Sequence, residues 1–200
     1  MKGKIALAVT LGTLATNAAA RPAQTAITVF VANFSQMEEV RFQQAVEIAR
    51  GVFRHSGIPV NLVTCAVERS AEDGFLRPRC PSAIGEYDAF LRVVPKPKAK
   101  DHVSGDTMGY AAPRTNGRHG TAASVYYEPV SRLASAESYP ATVVAGHVIA
   151  HEIGHLLGLL HSTDGIMRPD WKRRDLTEMA TGKLLFSLGE AERMRSILAQ

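Results

Sequence analysis

The hydrophobic residues in the first third of the chain follow the pattern of a strand and then of a helix. Residues 25–33 (TAITVFVAN) are rich in β-branched side chains and predict a strand. Phe42, Val46, Ala49 and Phe53 recur at helical spacing. The pattern therefore predicts a helix that lays one face on a sheet.

Polar and turn residues set the expected ends of this helix. Ser35 and Glu38 lie three residues apart, as in a capping box at a helix start. Gly57 and Pro59 follow the last apolar position and are expected to end the helix. The predicted helix therefore lies between these two pairs.

Several short segments between turn residues predict further strands. One of them ends before Pro113, which places it at a sheet edge because proline cannot donate a ladder hydrogen bond. Strands combined with helices predict a mixed α/β (α+β) fold, with helices packed on one twisted sheet. The predicted strands cover residues 58–67, 89–94, 108–112 and 121–127.

Two more helices are predicted in the second half of the chain. The first begins near Pro140, which suits a first helical turn, and runs to about Leu157. Gly158 then fits a left-handed helix end. Ser187 and Glu190 form a capping box at the start of the last helix.

Residues 1–20 have the features of a cleavable signal peptide. Lys2 and Lys4 precede an apolar stretch that ends in the small residues 18–20 (AAA), which fit the preferred cleavage site. A membrane anchor or a disordered tail is the alternative, but a spanning helix needs about 20 apolar residues. We therefore expect residues 21–200 to form one mature domain that is secreted or periplasmic.

The composition excludes some classes of partner. The sequence has 200 residues, of which 46% are hydrophobic and 21% charged, as is usual for a globular domain. Removing Lys2 and Lys4 leaves 21 basic and 19 acidic residues, a net charge of +2. The basic clusters at 96–100 and 172–174 lack the interleaved aromatic residues of a nucleic-acid binder. We expect no nucleic-acid partner, no stable membrane association and a monomer.

Cys65 and Cys80 are the two cysteines of the chain. In an exported protein one pair predicts one disulfide, which would stabilise the fold by about 3 kcal/mol for a loop of this size. A thiolate zinc ligand is the alternative. It is less favoured because no second cysteine pair or nearby histidine completes a tetrahedral set.

Residues 151–161 (HEIGHLLGLLH) carry the chemistry. His151 and His155 share one helix face, so their rings can bind one Zn²⁺. Gly158 permits the positive φ that turns the chain, and His161 can then complete a three-nitrogen site. Three protein ligands leave a position for water, which is the catalytic arrangement. Glu152 is placed to activate that water. The alternative interpretation of the whole segment is a helix that carries these polar residues by coincidence.

The same segment resembles the HExxHxxGxxH signature of the metzincin zinc metallopeptidases. Metzincins also carry a Met-turn beneath the metal, and Met167 stands where one would be expected. Ser162 and Pro169 are similar to the matrixin branch, although the interval from His161 to Met167 is shorter than matrixins usually have. The resemblance implies a divergent, bacterial-type secreted member. Its expected fold has a twisted mixed sheet with an antiparallel edge strand, two long helices, and a small lower subdomain that ends in a helix.

The resemblance also implies where substrate would lie. The segment Gly109, Tyr110 and Ala111 resembles the edge strand that pairs with an extended peptide. Arg168 and Pro169 would lie near the wall of the pocket beyond the cut bond.

These observations predict a zinc metalloendopeptidase in which Glu152 is the general base for a zinc-bound water. The expected substrate is a peptide or an unfolded protein. Two alternatives stay open: a secreted zinc-binding or peptide-binding module without turnover, and a narrow-specificity zinc aminopeptidase. His147 is interpreted as a satisfied core histidine, and His102, Asp106 and His119 as solvated loop residues.

Overall fold

The computed structural model describes residues 26–85, 88–98, 103–112 and 119–199. The described part forms one six-stranded mixed sheet and five helices. In chain order the elements are β1 (Ile27–Asn33), α1 (Glu39–His55), β2 (Val60–Arg69), β3 (Leu76–Arg79), β4 (Ala89–Val94), β5 (Gly109–Ala112), β6 (Ala122–Tyr126), α2 (Tyr127–Ala136), α3 (Ala141–Leu156), α4 (Arg173–Ala180) and α5 (Leu188–Leu198).

The sheet has the strand order β3-β2-β1-β4-β6-β5. Its four inner strands are parallel to one another, and each edge strand is antiparallel to its neighbour. The inner strand β1 is buried along almost its whole length, as expected for a parallel strand covered on both faces. The result confirms the predicted mixed fold with an antiparallel edge strand.

The two long helices α1 and α3 pack against each other beside the sheet. Val31 of β1, Phe42 of α1 and Ile149 of α3 belong to one hydrophobic core. The helices approach closely at Gly146, where a Cβ would lie only 2.7 Å from the carbonyl oxygen of Ala45. Twelve of the 16 residues of α3 are buried, so this helix lies at the centre of the molecule.

The C-terminal part of the chain packs against the first half of the chain at the end of α1. Arg195 of α5 donates hydrogen bonds to the carbonyl oxygens of Ser56 and Gly57, which ties α5 to the end of α1. Ser187 accepts a hydrogen bond from the backbone N–H of Glu190, and Glu190 accepts one from that of Ser187. The predicted capping box of the last helix is thus confirmed.

The predicted capping box at Ser35 and Glu38 is wrong. Helix α1 begins at Glu39, and no side chain caps it. The Ser35 side chain instead bonds to the Oδ1 atom of Asn33 at 2.7 Å and accepts from the backbone N–H of Met37. Ser35 therefore stabilises a turn before the helix, because the side chain of Asn33 competes for it.

Two helices and one strand were not predicted. The chain enters α2 directly at Tyr127, so the strand expected over residues 121–127 ends at Tyr126. The strand β3 is exposed along its whole length and carries little hydrophobic pattern, and α4 is only eight residues long, with Leu176 and Met179 as its buried apolar residues. The predicted disulfide between Cys65 and Cys80 is present and joins β2 to the residue that follows β3.

The predicted signal peptide at residues 1–20 and the loop residue His102 lie outside the described residues. Among the helices that the structure describes, none is long and apolar enough to cross a membrane.

Candidate metal centre

Helix α3 brings the first two histidines of the motif together. His151 and His155 are one turn apart, and their Nε2 atoms are 3.0 Å from each other. His151 is almost fully buried, whereas His155 is half-buried. The two rings therefore converge at the end of an otherwise apolar helix.

A glycine turn supplies the third histidine. Gly158 has a φ of 78°, a left-handed conformation that favours glycine. The turn reverses the chain after α3 and places the Nε2 atom of His161 at 3.2 Å from that of His155. Nitrogen ligands at about 2.05 Å from a tetrahedral zinc ion would be about 3.3 Å apart. The spacing of the three nitrogens therefore fits a metal centre.

Backbone carbonyls orient two of these rings. The Nδ1 atom of His151 is 2.7 Å from the carbonyl oxygen of Ile166, and that of His155 is 2.8 Å from the carbonyl oxygen of Leu159. A proton on each Nδ1 atom leaves the Nε2 lone pair free for a metal. Trp171 shares the first carbonyl, since its Nε1–H donates to Ile166 at 3.3 Å.

The electrostatics of the site favour neutral imidazoles. Burial, with a further contribution from the neighbouring His155 and His161, lowers the pKa of His151 to about 4. Burial also lowers the pKa of His155. Metal binding requires the neutral ring, so these histidines are in the required form near pH 7. Within the described residues, the only group arranged to hold a metal ion is His151, His155 and His161.

Glu152 lies beside this centre with one carboxyl oxygen unsatisfied. The residue is 4% exposed, and its Oε2 atom has no hydrogen-bond partner among the described residues. Burial raises the pKa of this carboxyl group to about 8. A buried oxygen without a partner costs free energy, and a water molecule beside the three histidines would supply the missing donor. The orphaned oxygen thus fits the presence of a metal and its water.

Met167, the residue of the predicted Met-turn, packs against helix α3. It is fully buried, and a Cβ at Gly154 would lie 2.7 Å from its Sδ atom. Gly154 directly precedes His155, so the thioether lies against the turn of α3 that carries two of the three histidines. Trp171 completes this region, with its ring edge-on to that of His151 at 5.6 Å between centroids.

A cleft of about 780 Å³ opens over the three histidines. All of the predicted substrate contacts line it: Gly109, Tyr110, Ala111, Arg168 and Pro169. The five residues come from β5 on one side and from the segment after Met167 on the other.

Part of the cleft was not predicted from the sequence. Pro129, Arg132 and Leu133 of α2 line it, together with Val148 of α3. A signal for α2 is nevertheless present in the sequence, as the helical spacing of Pro129, Val130, Leu133 and Ala134. Three of these four residues are buried in the structure, as that spacing predicts.

The remaining polar candidates do not belong to the three-histidine group, although Asp106 lines the same cleft. His147 is buried, and its Nδ1 atom bonds to the carbonyl oxygen of Val143 at 2.8 Å, but its Nε2 atom lacks a partner in the described part of the chain. The prediction of a satisfied core histidine therefore holds for one ring nitrogen only. Asp106 pairs with Arg132 at 3.0 Å, and His119 contacts the carbonyl of Gly120.

The fold is shared with solved metallopeptidase structures. An archaemetzincin from Methanopyrus kandleri aligns with a TM-score of 0.54 and 16% identity, covering 87% of this chain and 96% of its own. The metalloproteinase-II from Bacteroides fragilis aligns with a TM-score of 0.51 and 15% identity, covering 87% of this chain and 53% of its own. The chain has a metallopeptidase fold. No family model matches the sequence, and no curated protein matches it.

This metallopeptidase fold agrees with the predicted order of a sheet, two long helices and a C-terminal helix. The three-histidine cluster lies within it and could bind a metal ion. The assignment to a matrixin-like, bacterial-type secreted branch stays a prediction.

Proposed function

We propose that this chain is a secreted, matrixin-like zinc metalloendopeptidase. The observation that carries the proposal is the convergence of three Nε2 atoms beside a buried carboxyl oxygen without a partner. His151, His155 and His161 would hold the zinc ion. Zinc at this position would polarise the scissile carbonyl and acidify a water molecule.

Glu152 would act as the general base. Burial raises the pKa of this group when no metal is bound, and the positive charge of a zinc ion held by the three histidines would favour the ionised form. The carboxylate would then take a proton from the attacking water and deliver it to the leaving amine. Because the side chain is buried against β5, its position is fixed before substrate arrives. Such preorganisation lets the proton transfer proceed without reorientation of the carboxyl group.

Strand β5 would bind the substrate backbone. It is an edge strand that pairs with β6 on one side, and its Tyr110 is 51% exposed. An extended peptide or unfolded protein can add to such an edge through main-chain hydrogen bonds. Arg168 and Pro169 would form the opposite wall of the cleft.

Secretion and the mature boundary belong to the same proposal. Residues 21–200 would form the catalytic domain after removal of the signal peptide, and this domain would act as a monomer. The Cys65–Cys80 disulfide supports an extracellular or periplasmic location, because disulfides persist in oxidising compartments.

Digestion of an unfolded protein tests this function. The purified mature chain, loaded with zinc, is expected to release internal peptides that mass spectrometry can identify, and a chelator should stop the reaction. Glu152→Gln should reduce kcat by about 10³-fold while zinc stays bound. Glu192→Gln, which changes an exposed glutamate of α5, serves as the matched control.

The outcomes separate the alternatives. Cleavage confined to the N-terminal residue would favour an aminopeptidase. Bound zinc without cleavage of any peptide would favour a binding module. Full activity of Glu152→Gln would refute its role as the base.

A further inference from the structure

Arg168 is a basic residue of the cleft that opens over the three histidines. It directly follows Met167, lines the cleft, and has a side chain that is 28% exposed. The carbonyl of Ile166, two residues earlier, accepts the hydrogen bond from His151. Consecutive Cα atoms are about 3.8 Å apart, so the Cα atom of Arg168 lies at most twice that distance from the Cα atom of Ile166. Arg168 is therefore close to the residue that orients His151.

Arg168 differs from the other cations of the cleft in its burial. Arg132 and Lys172 also line the cleft within the described part of the chain, but both are exposed. Arg132 is already paired with Asp106. Water and salt screen exposed charges, whereas a partly buried charge is screened much less. The exposed Asp170 is screened in the same way, so Arg168 is the least screened basic side chain among the described residues that line the cleft.

Asp175 forms an ion pair with Arg168 at a distance longer than that of a strong hydrogen bond. The Oδ2 atom of Asp175 lies 3.5 Å from the Nη1 atom of Arg168, and no hydrogen bond from this guanidinium is found among the described residues. The same Oδ2 atom accepts from the backbone N–H of Lys172 at 2.6 Å, at the start of α4. The N-terminus of that helix therefore offsets part of the negative charge of Asp175. The guanidinium of Arg168 therefore keeps N–H donors from which a carboxylate in the cleft can accept hydrogen bonds.

We propose that Arg168 makes the cleft selective for peptides that carry a carboxylate next to the bond that is cut. The inference rests on the proposed peptidase function and names its substrate class. A guanidinium offers five N–H donors in a planar fork, and a carboxylate accepts two of them side by side. The carboxylate is either an acidic side chain or the free C-terminus of a short peptide.

Matched peptides test this selectivity and distinguish the two sources. One pair differs only by Glu against Gln, placed in turn at each position around the cut bond, and a second pair differs only by a C-terminal acid against an amide. The mature, zinc-loaded enzyme should prefer the acidic member of at least one pair by about tenfold in kcat/KM. Arg168→Gln should reduce that ratio to about one. Arg168→Lys should retain part of it, because lysine keeps the charge but loses the planar fork.

Arg193→Gln is the matched control, since it removes one exposed arginine of α5 and should leave the ratio unchanged. If Arg168 were only a structural tie to Asp175, its loss would lower the rates on both members of a pair equally. An unchanged ratio in Arg168→Gln would therefore overturn the proposal. So would the absence of any acidic preference in the unchanged enzyme.

A binding measurement separates this proposal from the peptidase function itself. Fluorescence anisotropy of labelled peptide pairs on the zinc-loaded Glu152→Gln protein reports selectivity without turnover. If the unchanged enzyme cuts no peptide, the proposed function fails, and the anisotropy ratio still decides the role of Arg168. Tenfold tighter binding of the acidic peptide supports that role, and equal binding contradicts it.

Discussion

Gly109 of β5 and Glu152 of α3 lie in direct contact. A Cβ built on Gly109 would lie 2.5 Å from the Cδ atom of Glu152 and 2.6 Å from its Cγ atom. The backbone of the edge strand thus forms a wall of the pocket that holds the carboxyl group. The strand that would bind substrate and the side chain that would move the proton are therefore fixed relative to each other.

Replacing Gly109 by Ala is expected to impair catalysis more than stability. The added methyl group must displace the Glu152 carboxyl group, and a misplacement of about 1 Å can cost about 10²-fold in rate. The free energy of unfolding should fall by about 1–3 kcal/mol, as for other overpacked sites. The tests are kcat/KM on an unfolded substrate and a urea titration.

Zinc content and a second glycine provide the controls for this variant. Gly109→Ala should bind zinc as before, because the three atoms nearest the new methyl group all belong to Glu152 and none to a histidine. Gly189→Ala adds a methyl group where no atom lies within 4 Å, so it should leave activity intact. An active Gly109→Ala enzyme would show that the position of Glu152 does not matter for turnover.

Gly154 and Met167 are expected to be coupled in stability. A Cβ at Gly154 would lie 2.7 Å from the Sδ atom of Met167 and 3.1 Å from the Cε1 atom of Phe186. Overpacking typically costs about 1–3 kcal/mol, which the higher helix propensity of alanine offsets by about 1 kcal/mol. Gly154→Ala should therefore lower the free energy of unfolding by about 1 kcal/mol.

A double-mutant cycle checks the cause of this loss. Met167→Ala alone should cost about 2–5 kcal/mol through the cavity that it leaves. The double variant should be more stable than the sum of the two losses predicts, because the truncated side chain at position 167 makes room for the new methyl group. Urea titrations in the presence of a chelator measure the free energy of unfolding without any contribution from metal binding. Strictly additive losses would show that the two residues do not clash.

The Cys65–Cys80 disulfide is expected to affect stability and not catalysis. The bond joins two residues that are 15 positions apart in the sequence, and a disulfide that closes a loop of this size adds about 3 kcal/mol to the free energy of unfolding. Strand β2 lies four positions from β5 in the sheet, about 19 Å away at 4.8 Å per strand. Cys65→Ser with Cys80→Ser should lower the denaturation midpoint and keep kcat/KM. A large loss of activity in the folded variant would contradict this separation.

The sequence predicts the local parts of the site well, since they depend on helix geometry. The spacing of His151 and His155 requires only that residues around them be helical. Gly158 was expected to end that helix, and its φ of 78° agrees. The capping box at Ser187 was likewise a local pattern that nothing nearby disturbs.

The contacts between distant segments could not be predicted in this way. The approach of Gly109 to Glu152 depends on how β5 lies across α3. The carbonyl of Ile166, which orients His151, is a backbone group that every residue has, so no side-chain pattern marks it. At Ser35 the local pattern itself was misleading, because Asn33 offered its side chain a closer partner.

The location of bound zinc tests the central claim most directly. A crystal of the mature chain grown with zinc, measured on both sides of the zinc absorption edge, gives an anomalous difference map. We predict one strong peak about 2.0–2.1 Å from the Nε2 atoms of His151, His155 and His161, with Glu152 outside the coordination sphere. A peak at other residues, or zinc held with the ring of His161 turned away, would contradict the account.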